Sequence, residues 1–285
     1  MTPTPTLPFQ RIGLVGFGLM GGSLGRALKA LPSPPHVRAL SADPSELNEG
    51  VEAGVLDQIA RGSGELLKDL DLLVYTTPLE VTLNLLGVHR PFLEPDTVVT
   101  DVVSLKVPLL ARMVELDLEK HYVGSHPMAG GEGSGFGASR AELFRGARVW
   151  MVRGEAPRGI FRGVRDFWVG LGARPEPIGA ETHDRLMAWV SHLPQLTANA
   201  LALALENAGF RRDQLGSGGL DMTRLAASNP EMWKDLFRAA PEEASTALKK
   251  LEEALADLRE LLERGRADQI GTRMASTRNW TEKSR

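Results

Sequence analysis

The chain has 285 residues, 42% of them hydrophobic, a formal net charge of −3 and no cysteine. That is enough apolar material for two ordinary domains, and the slightly acidic balance argues against nucleic acid or an anionic membrane as a partner. Without cysteine there is no disulfide, no thiolate nucleophile and no Cys-ligated metal centre, which suits a reducing, cytoplasmic setting.

The opening MTPTPTLPFQ has neither the basic start nor the apolar core of a signal peptide, and no apolar run nears the ~20 residues of a bilayer span. It reads as a Pro/Thr lead-in. RIGLVG, from Arg11 to Gly16, is a short apolar run bounded by glycine, as in a strand buried on both faces of a parallel sheet. LMGGSLGRALKAL then moves to helical spacing, with Leu24, Leu28 and Leu31 on one face. VRAL ending at Ser41, DLLVYTTP ending at Pro78 and TVVTDVVS near Thr97 to Thr100 supply further strands, with helical segments between them. This alternation predicts an α/β fold with a doubly wound, mostly parallel sheet. ARVWMV and ARPEPI, between Gly146 and Ile178, add two strand-like pieces around a helical stretch and extend the same domain.

Beyond Ile178 the pattern turns helical, so the domains are expected at 1–178 and 179–285. THDRLMAWVSHLPQLTANALALALENAG is a long helix former, apolar on most sides. Such a helix must be buried all round, and a second copy of the chain is the simplest cover. A homodimer through residues near Leu193 to Leu205 is therefore expected; the alternative is a monomeric bundle enclosing its own central helix. EEASTALKKLEEALADLRELLERG interleaves charges with leucines, as a solvated outer helix does.

Gly16-Phe17-Gly18-Leu19-Met20-Gly21 matches G-x-G-x-x-G after a strand and at the start of a helix. There Gly16 allows the tight turn, Gly18 lets the backbone approach a pyrophosphate, and Gly21 allows close helix packing. The first domain is thus read as dinucleotide-binding. An acidic side chain about 20 residues on would bind the ribose hydroxyls of NAD. Ser41 stands there, with Asp43 two residues later; Ser41 tolerates a 2′-phosphate, but no arginine follows to grip one. NAD and NADP both remain open, and Asp43 keeps NAD ahead.

Ligands of open α/β sheets bind at the carboxyl ends of strands. Thr76, Thr77, Pro78, Asp101, Ser104 and Lys106 fall there, the first four as cofactor-binding candidates. Ser104 also suits the N-cap of a helix starting at Leu105. His126 follows the short strand HYVGS and precedes Gly130, Gly131, Gly133 and Gly135, glycines that let a loop fold closely around a ligand. A histidine at that edge is a catalytic candidate. In the helical half, SHLPQ carries His192 and Gln195, and Arg224 sits between Met222, Leu225 and Ala226. If buried, that arginine needs an anionic partner, either Asp221 or a ligand carboxylate.

Taken together, GFGLMGGSLG, TTP, DVVSLK, GSHPMAGGEGSG, THD, SHLP, DMTRLA and SNPEMWKDL, in this order, resemble the prephenate/arogenate dehydrogenase family of tyrosine biosynthesis. The resemblance implies oxidative decarboxylation of a cyclohexadienyl ring, with hydride passing to NAD or NADP. By motif, His126 matches the histidine that bonds the ring hydroxyl and takes its proton. Ser104 matches the serine that helps place that hydroxyl and the nicotinamide, and Arg224 the arginine that binds a substrate carboxylate. Glu132 matches a glutamate near the site entrance; His192 and Gln195 fall among the substrate-binding positions. Where many prephenate-preferring relatives have a second histidine after SHLP, this chain has Gln195, whose amide suits either an ammonium or a keto oxygen. Prephenate and arogenate are therefore both admissible, and the minimal two-domain form is expected. The competing readings are a β-hydroxyacid dehydrogenase or related NAD(P)-dependent reductase, which needs neither SHLP nor HPMAG, and a nucleotide-sensing dimer without chemistry.

Overall fold

A computed structural model describes residues 7–131 and 133–283. Short apolar segments form the strands β1 (Arg11–Val15), β2 (His36–Leu40), β3 (Gln58–Ile59), β4 (Leu72–Tyr75), β5 (Val98–Asp101), β6 (Tyr122–Pro127), β7 (Arg148–Val152) and β8 (Arg174–Pro177). The helices between them are α1 (Leu19–Lys29), α2 (Pro44–Glu52), α3 (Ser63–Leu67), α4 (Leu79–His89), α5 (Val107–Glu115) and α6 (Arg158–Gly170). Every residue of β4 and β5 is buried, as continuous apolar runs covered on both faces must be.

Among the described residues the sheet has the order β3-β2-β1-β4-β5-β6-β7-β8. β1 to β6 are parallel, β7 runs antiparallel to β6, and β8 is parallel to β7. The expected doubly wound sheet is what forms, with the two late strands joined to it. β3, only two residues long, carries no periodicity and was not legible in the sequence. The chain leaves β1 toward β2 on one side and continues through β4 and β5 on the other, so the order reverses between β1 and β4. Such a reversal opens a crevice at the strands' carboxyl ends.

After β8 come α7 (Ala180–Met187), a π-type turn (Ala188–His192), α8 (Leu193–Asn207), α9 (Ser217–Thr223), α10 (Pro230–Ala239), α11 (Pro241–Glu263) and α12 (Ala267–Lys283). The chain divides into two compact units. One comprises Met1–Met187 with Ser228–Ala239; the other comprises Ala188–Ala227 with Ala240–Arg285. In the first, Trp168 packs edge-on against Phe144 and Phe167, and its indole N–H donates to the Ser125 hydroxyl at 3.0 Å. In the second, α8 has only Gln195 and Ala198 buried, and Leu203 is 57% exposed within the single chain. The burial on all sides expected of that helix is not supplied by its own chain. No helix among the described residues is long and apolar enough to cross a membrane.

Beneath α4, the Tyr75 hydroxyl lies 2.8 Å from Nδ1 of fully buried His89. Burial pushes the His89 pKa down to about 4. An unfolded histidine titrates near pH ~6.5, so between those values the unfolded chain binds a proton that the folded protein excludes. The stability held by neutral His89 is complete above pH ~6.5 and is lost as pH falls toward 4. Urea unfolding should show lower stability at pH ~5 than at pH ~7, and His89→Gln should shrink that difference; an undiminished difference in the variant assigns it to another group.

Candidate active site

The glycine turn joins β1 to α1 at the crevice. Gly16 has φ +89°, a left-handed conformation that side chains with a Cβ rarely adopt. A Cβ on Gly21 would lie 2.3 Å from the Gly16 carbonyl oxygen, so only glycine lets the first turn of α1 pack so closely on the loop. Across the reversal point, the Thr76 hydroxyl is 2.9 Å from both the Val15 and Gly16 carbonyls and pins the turn. Thr77 shares a 2.8 Å hydrogen bond with Thr82, and Pro78 is the N-cap of α4. Leu19 and Met20, half-buried, open α1. This is a cradle a dinucleotide pyrophosphate can approach at backbone distance, with the N-terminus of α1 aimed at it.

Ser41 directly follows β2. Asp43 is the N-cap of α2: its carboxylate accepts the Ser45 N–H at 2.9 Å and the Ser45 hydroxyl at 2.6 Å, bonds that hold its pKa below the usual carboxylate range.

The glycine-rich segment after His126 returns to α1. Phe136 stacks on Phe17 with centroids 5.4 Å apart, and the Arg26 guanidinium lies 4.4 Å above the Phe136 ring. Arg26 also donates to the Ser139 hydroxyl at 2.7 Å, and the Arg140 N–H donates to the Ser23 hydroxyl at 3.0 Å. A Cβ on Gly22 would meet Phe136 at 2.6 Å, and Gly135 has φ +74°. The loop therefore lies against the dinucleotide-binding helix. Glu132 falls outside the described residues.

His126 occupies the penultimate position of β6 and is half-buried. Its Nδ1 is 2.9 Å from Nε2 of His183, and Nδ1 of His183 is 2.7 Å from Oδ1 of Asp184. An ionised carboxylate only accepts, so His183 carries its proton on Nδ1. Neutral His183 then presents a lone pair at Nε2, and His126 must donate to it from Nδ1. The proton-accepting nitrogen of His126 is thereby Nε2. His183 is fully buried and Asp184 is 7% exposed. Asp184 also accepts the backbone N–H of Lys106 at 2.8 Å and of Val107 at 2.9 Å, which caps α5. Ser104 does not cap a helix at Leu105: the helix begins at Val107, and its end is satisfied by Asp184. Ser104 is left half-buried between β5 and α5.

Asp101 and Lys106, both placed by sequence at the ligand-binding edge, are instead buried beneath it. The Lys106 ammonium, fully buried, pairs with Asp101 Oδ1 and donates to the Ser125 carbonyl at 2.7 Å. Asp101 also accepts the Val103 N–H at 2.7 Å, the Tyr122 hydroxyl at 2.6 Å and the Ser125 N–H at 3.3 Å. With its oxygens so committed and 1% exposure, Asp101 is not a cofactor contact. Burial pulls the Lys106 pKa down against the attraction of Asp101, and burial together with Asp101 drives the Tyr122 pKa far up.

In the second unit, His192 closes the π-type turn and is 2% exposed. Gln195, equally buried, donates its amide N–H to the Leu225 carbonyl at 2.8 Å, fixing the 3₁₀ turn Arg224–Ala227. Arg224 itself is exposed within the single chain.

Comparison with known proteins adds to this geometry. A family described as prephenate dehydrogenase, nucleotide-binding domain, matches residues 24–176, and one described as prephenate dehydrogenase, dimerization domain, matches residues 179–276. The chain belongs to the prephenate dehydrogenase family. A cyclohexadienyl dehydrogenase of Zymomonas mobilis is 30% identical over 264 residues, covering 89% of this chain and 87% of that protein. The structure of prephenate dehydrogenase from A. aeolicus in complex with hydroxyphenyl propionate and NAD+ has a TM-score of 0.91 at 26% identity, covering 99% of this chain and 100% of that one. The Synechocystis arogenate dehydrogenase structure has a TM-score of 0.81 at 25% identity, covering 96% and 99%. As a member of this family the protein is an oxidoreductase with a dinucleotide-binding domain, and the β-hydroxyacid dehydrogenase alternative is not favoured.

Within this prephenate dehydrogenase fold, the residues that sequence reading missed are His183 and Asp184. THD served only as a motif, and a histidine beside an aspartate on a helix gives no sign that it meets a strand 57 residues earlier. The Asp101–Lys106 pair offers a direct check on the site's foundation. Removing one partner of a buried ion pair costs about 3–5 kcal/mol, so Lys106→Met should lower urea stability by about that much. Adding Asp101→Asn should recover a large part of it; a single variant as stable as the wild type contradicts the pairing.

Proposed function

We propose that the protein oxidises and decarboxylates prephenate or arogenate in tyrosine biosynthesis, with His126 as the base. The observation that carries this reading is the hydrogen-bonded series His126, His183, Asp184 at the sheet edge that also bears the glycine turn. In the reaction the ring hydroxyl loses its proton, the carbon bearing it loses a hydride, and the ring carboxylate departs as carbon dioxide. The electron pair of the broken carbon–carbon bond completes the aromatic ring and leaves the former hydroxyl oxygen as a phenolate, which takes the proton back from His126. A bound nicotinamide dinucleotide supplies the hydride acceptor.

His126 receives the hydroxyl proton at Nε2, and the imidazolium that forms keeps its Nδ1–H on His183, whose own N–H faces the Asp184 carboxylate. Ser104 helps orient the hydroxyl. Arg224 holds a carboxylate by two parallel hydrogen bonds, a geometry lysine lacks. The side-chain carboxylate suits it better than the departing one, because tight binding of a leaving group opposes its loss. His192, Gln195 and Glu132 complete the substrate-binding set in this reading, by resemblance. The similarity to both a prephenate and an arogenate dehydrogenase, with Gln195 after SHLP, supports either substrate.

Of the two cofactors, NAD is the proposed one. Arg38, three residues before Ser41, donates to Gln58 at 3.0 Å and to the Glu65 and Lys68 carbonyls at 2.6 and 3.0 Å, so it is not aimed at a 2′-phosphate. The relative bound to NAD+ agrees. A homodimer through the second unit is supported by a cleft of about 860 Å³ lined by Leu203, Phe210 and Leu215, by the exposure of Leu203 and Phe210, and by the description of the matched domain. The cysteine-free chain suits the cytoplasm.

Initial rates of reduced-nicotinamide formation, with prephenate or arogenate and NAD or NADP, test the reaction directly; silence in all four combinations refutes it. His126→Asn should lower kcat at least ~10²-fold while dinucleotide binding persists, and a near-normal rate removes His126 as the base. Arg224→Ala should chiefly raise KM for the dienyl substrate, and an unchanged KM removes Arg224 from the substrate.

A further inference from the structure

The position where a ribose-binding carboxylate is expected holds Ser41, and the next acid, Asp43, is occupied in capping α2. A third acid fills the place. Glu46, in the first turn of α2, turns its carboxylate back over the glycine turn: Oε1 and Oε2 lie 3.4 and 3.9 Å from where a Cβ of Gly18 would be. Oε1 is also 3.2 Å from the corresponding point on Gly135. Burial and the nearby Asp43 push the Glu46 pKa up, with the Phe136 N–H and the Ser41 hydroxyl opposing that rise. The carboxylate thus stands where three segments meet: the second fingerprint glycine, the carboxyl end of β2, and the loop that follows His126.

We infer that Glu46 is the residue that reads the adenosine ribose and selects NAD over NADP. The inference rests on the dinucleotide reading of the Gly16–Gly21 turn. In the fingerprint geometry the acid at the end of the second strand accepts from the ribose hydroxyls, and Glu46 brings a carboxylate toward that end from the first turn of α2. A carboxylate has about four acceptor positions, so it can take a ribose hydroxyl while keeping a protein donor. The same charge opposes a 2′-phosphate, which carries negative charge of its own. Since Glu46 Oε1 lies 3.2 Å from the Cβ position of Gly135, the residue that meets the ribose borders the loop that follows His126.

Calorimetric titration of the full-length protein with NAD and with NADP tests this without recourse to turnover. The wild type should bind NAD at least about tenfold more tightly than NADP. Glu46→Gln, which keeps the shape but loses the charge, should weaken NAD by about tenfold to a hundredfold, the worth of a hydrogen bond to a charged group. It should also narrow the ratio between the two dinucleotides. Removing the 2′-hydroxyl from the ligand provides a second measurement that needs no variant: 2′-deoxy-NAD should bind the wild type more weakly than NAD by a similar factor. Wild-type NAD affinity and an unchanged ratio in Glu46→Gln, or equal affinity of the wild type for NAD and 2′-deoxy-NAD, overturns the role of Glu46 and leaves the dinucleotide turn standing. Failure of the wild type to bind either dinucleotide overturns both.

Discussion

Much of the active-site unit depends on where one carboxylate, that of Asp184, finds its donors. One oxygen accepts from the Lys106 N–H and faces Nδ1 of His183; the other accepts from the Val107 N–H. The two amides belong to the start of α5, where backbone N–H groups lack partners within the helix and a negative charge is favoured. A single anion therefore caps α5, docks α7 onto it and fixes the proton of His183. Because His183 in turn meets His126, the orientation of an imidazole on β6 is set by a helix nearly 60 residues later in the chain. Three parts of the first unit are thereby made to agree on one geometry.

The floor beneath this arrangement is ionic where an apolar core would serve stability as well. Lys106 and Asp101 are buried together with Tyr122, and the Lys106 ammonium also holds the Ser125 carbonyl, one residue before His126. The Ser125 hydroxyl bonds Thr100 on the neighbouring strand at 2.9 Å and receives the Trp168 indole N–H. Directional bonds at both Ser125 groups fix the last residues of β6 along and across the sheet, which packing of methyl groups does less sharply. The buried charges are thus best understood through position: they hold the backbone from which His126 projects.

The sequence made the first half of the fold legible because its strands are continuous apolar runs ending in residues with chemistry, so Gly16, Ser41, Thr76 and His126 fall at one sheet edge as read. The two-residue β3 could not be read, since nothing periodic fits into two residues. Asp101 and Lys106 misled for a different reason. Strand ends mark where a residue sits along the sheet, but not whether it points into the crevice or the core, and alternation fails as a guide where both faces are buried. The His126–His183 contact was invisible because it is purely tertiary. The cap that local pattern also offered at Ser104 does not form, because the anion that caps α5 comes from Asp184, 77 residues beyond Val107.

Of the glycines after His126, Gly135 has a physical explanation that a packing account lacked. Gly135 adopts φ +74° and sits beside the Glu46 carboxylate, so a side chain there is both strained and crowded. Phe136, directly after it, inserts between Phe17 and Arg26 on the dinucleotide-binding side, where Gly22 leaves room for its ring. Phe136 thus anchors one side of the segment against α1, while His126 lies on β6 at the other. His126 on β6 and the Phe136 anchor against α1 are thus separated by a short run of chain, which places the histidine and the Gly135 turn in the same stretch.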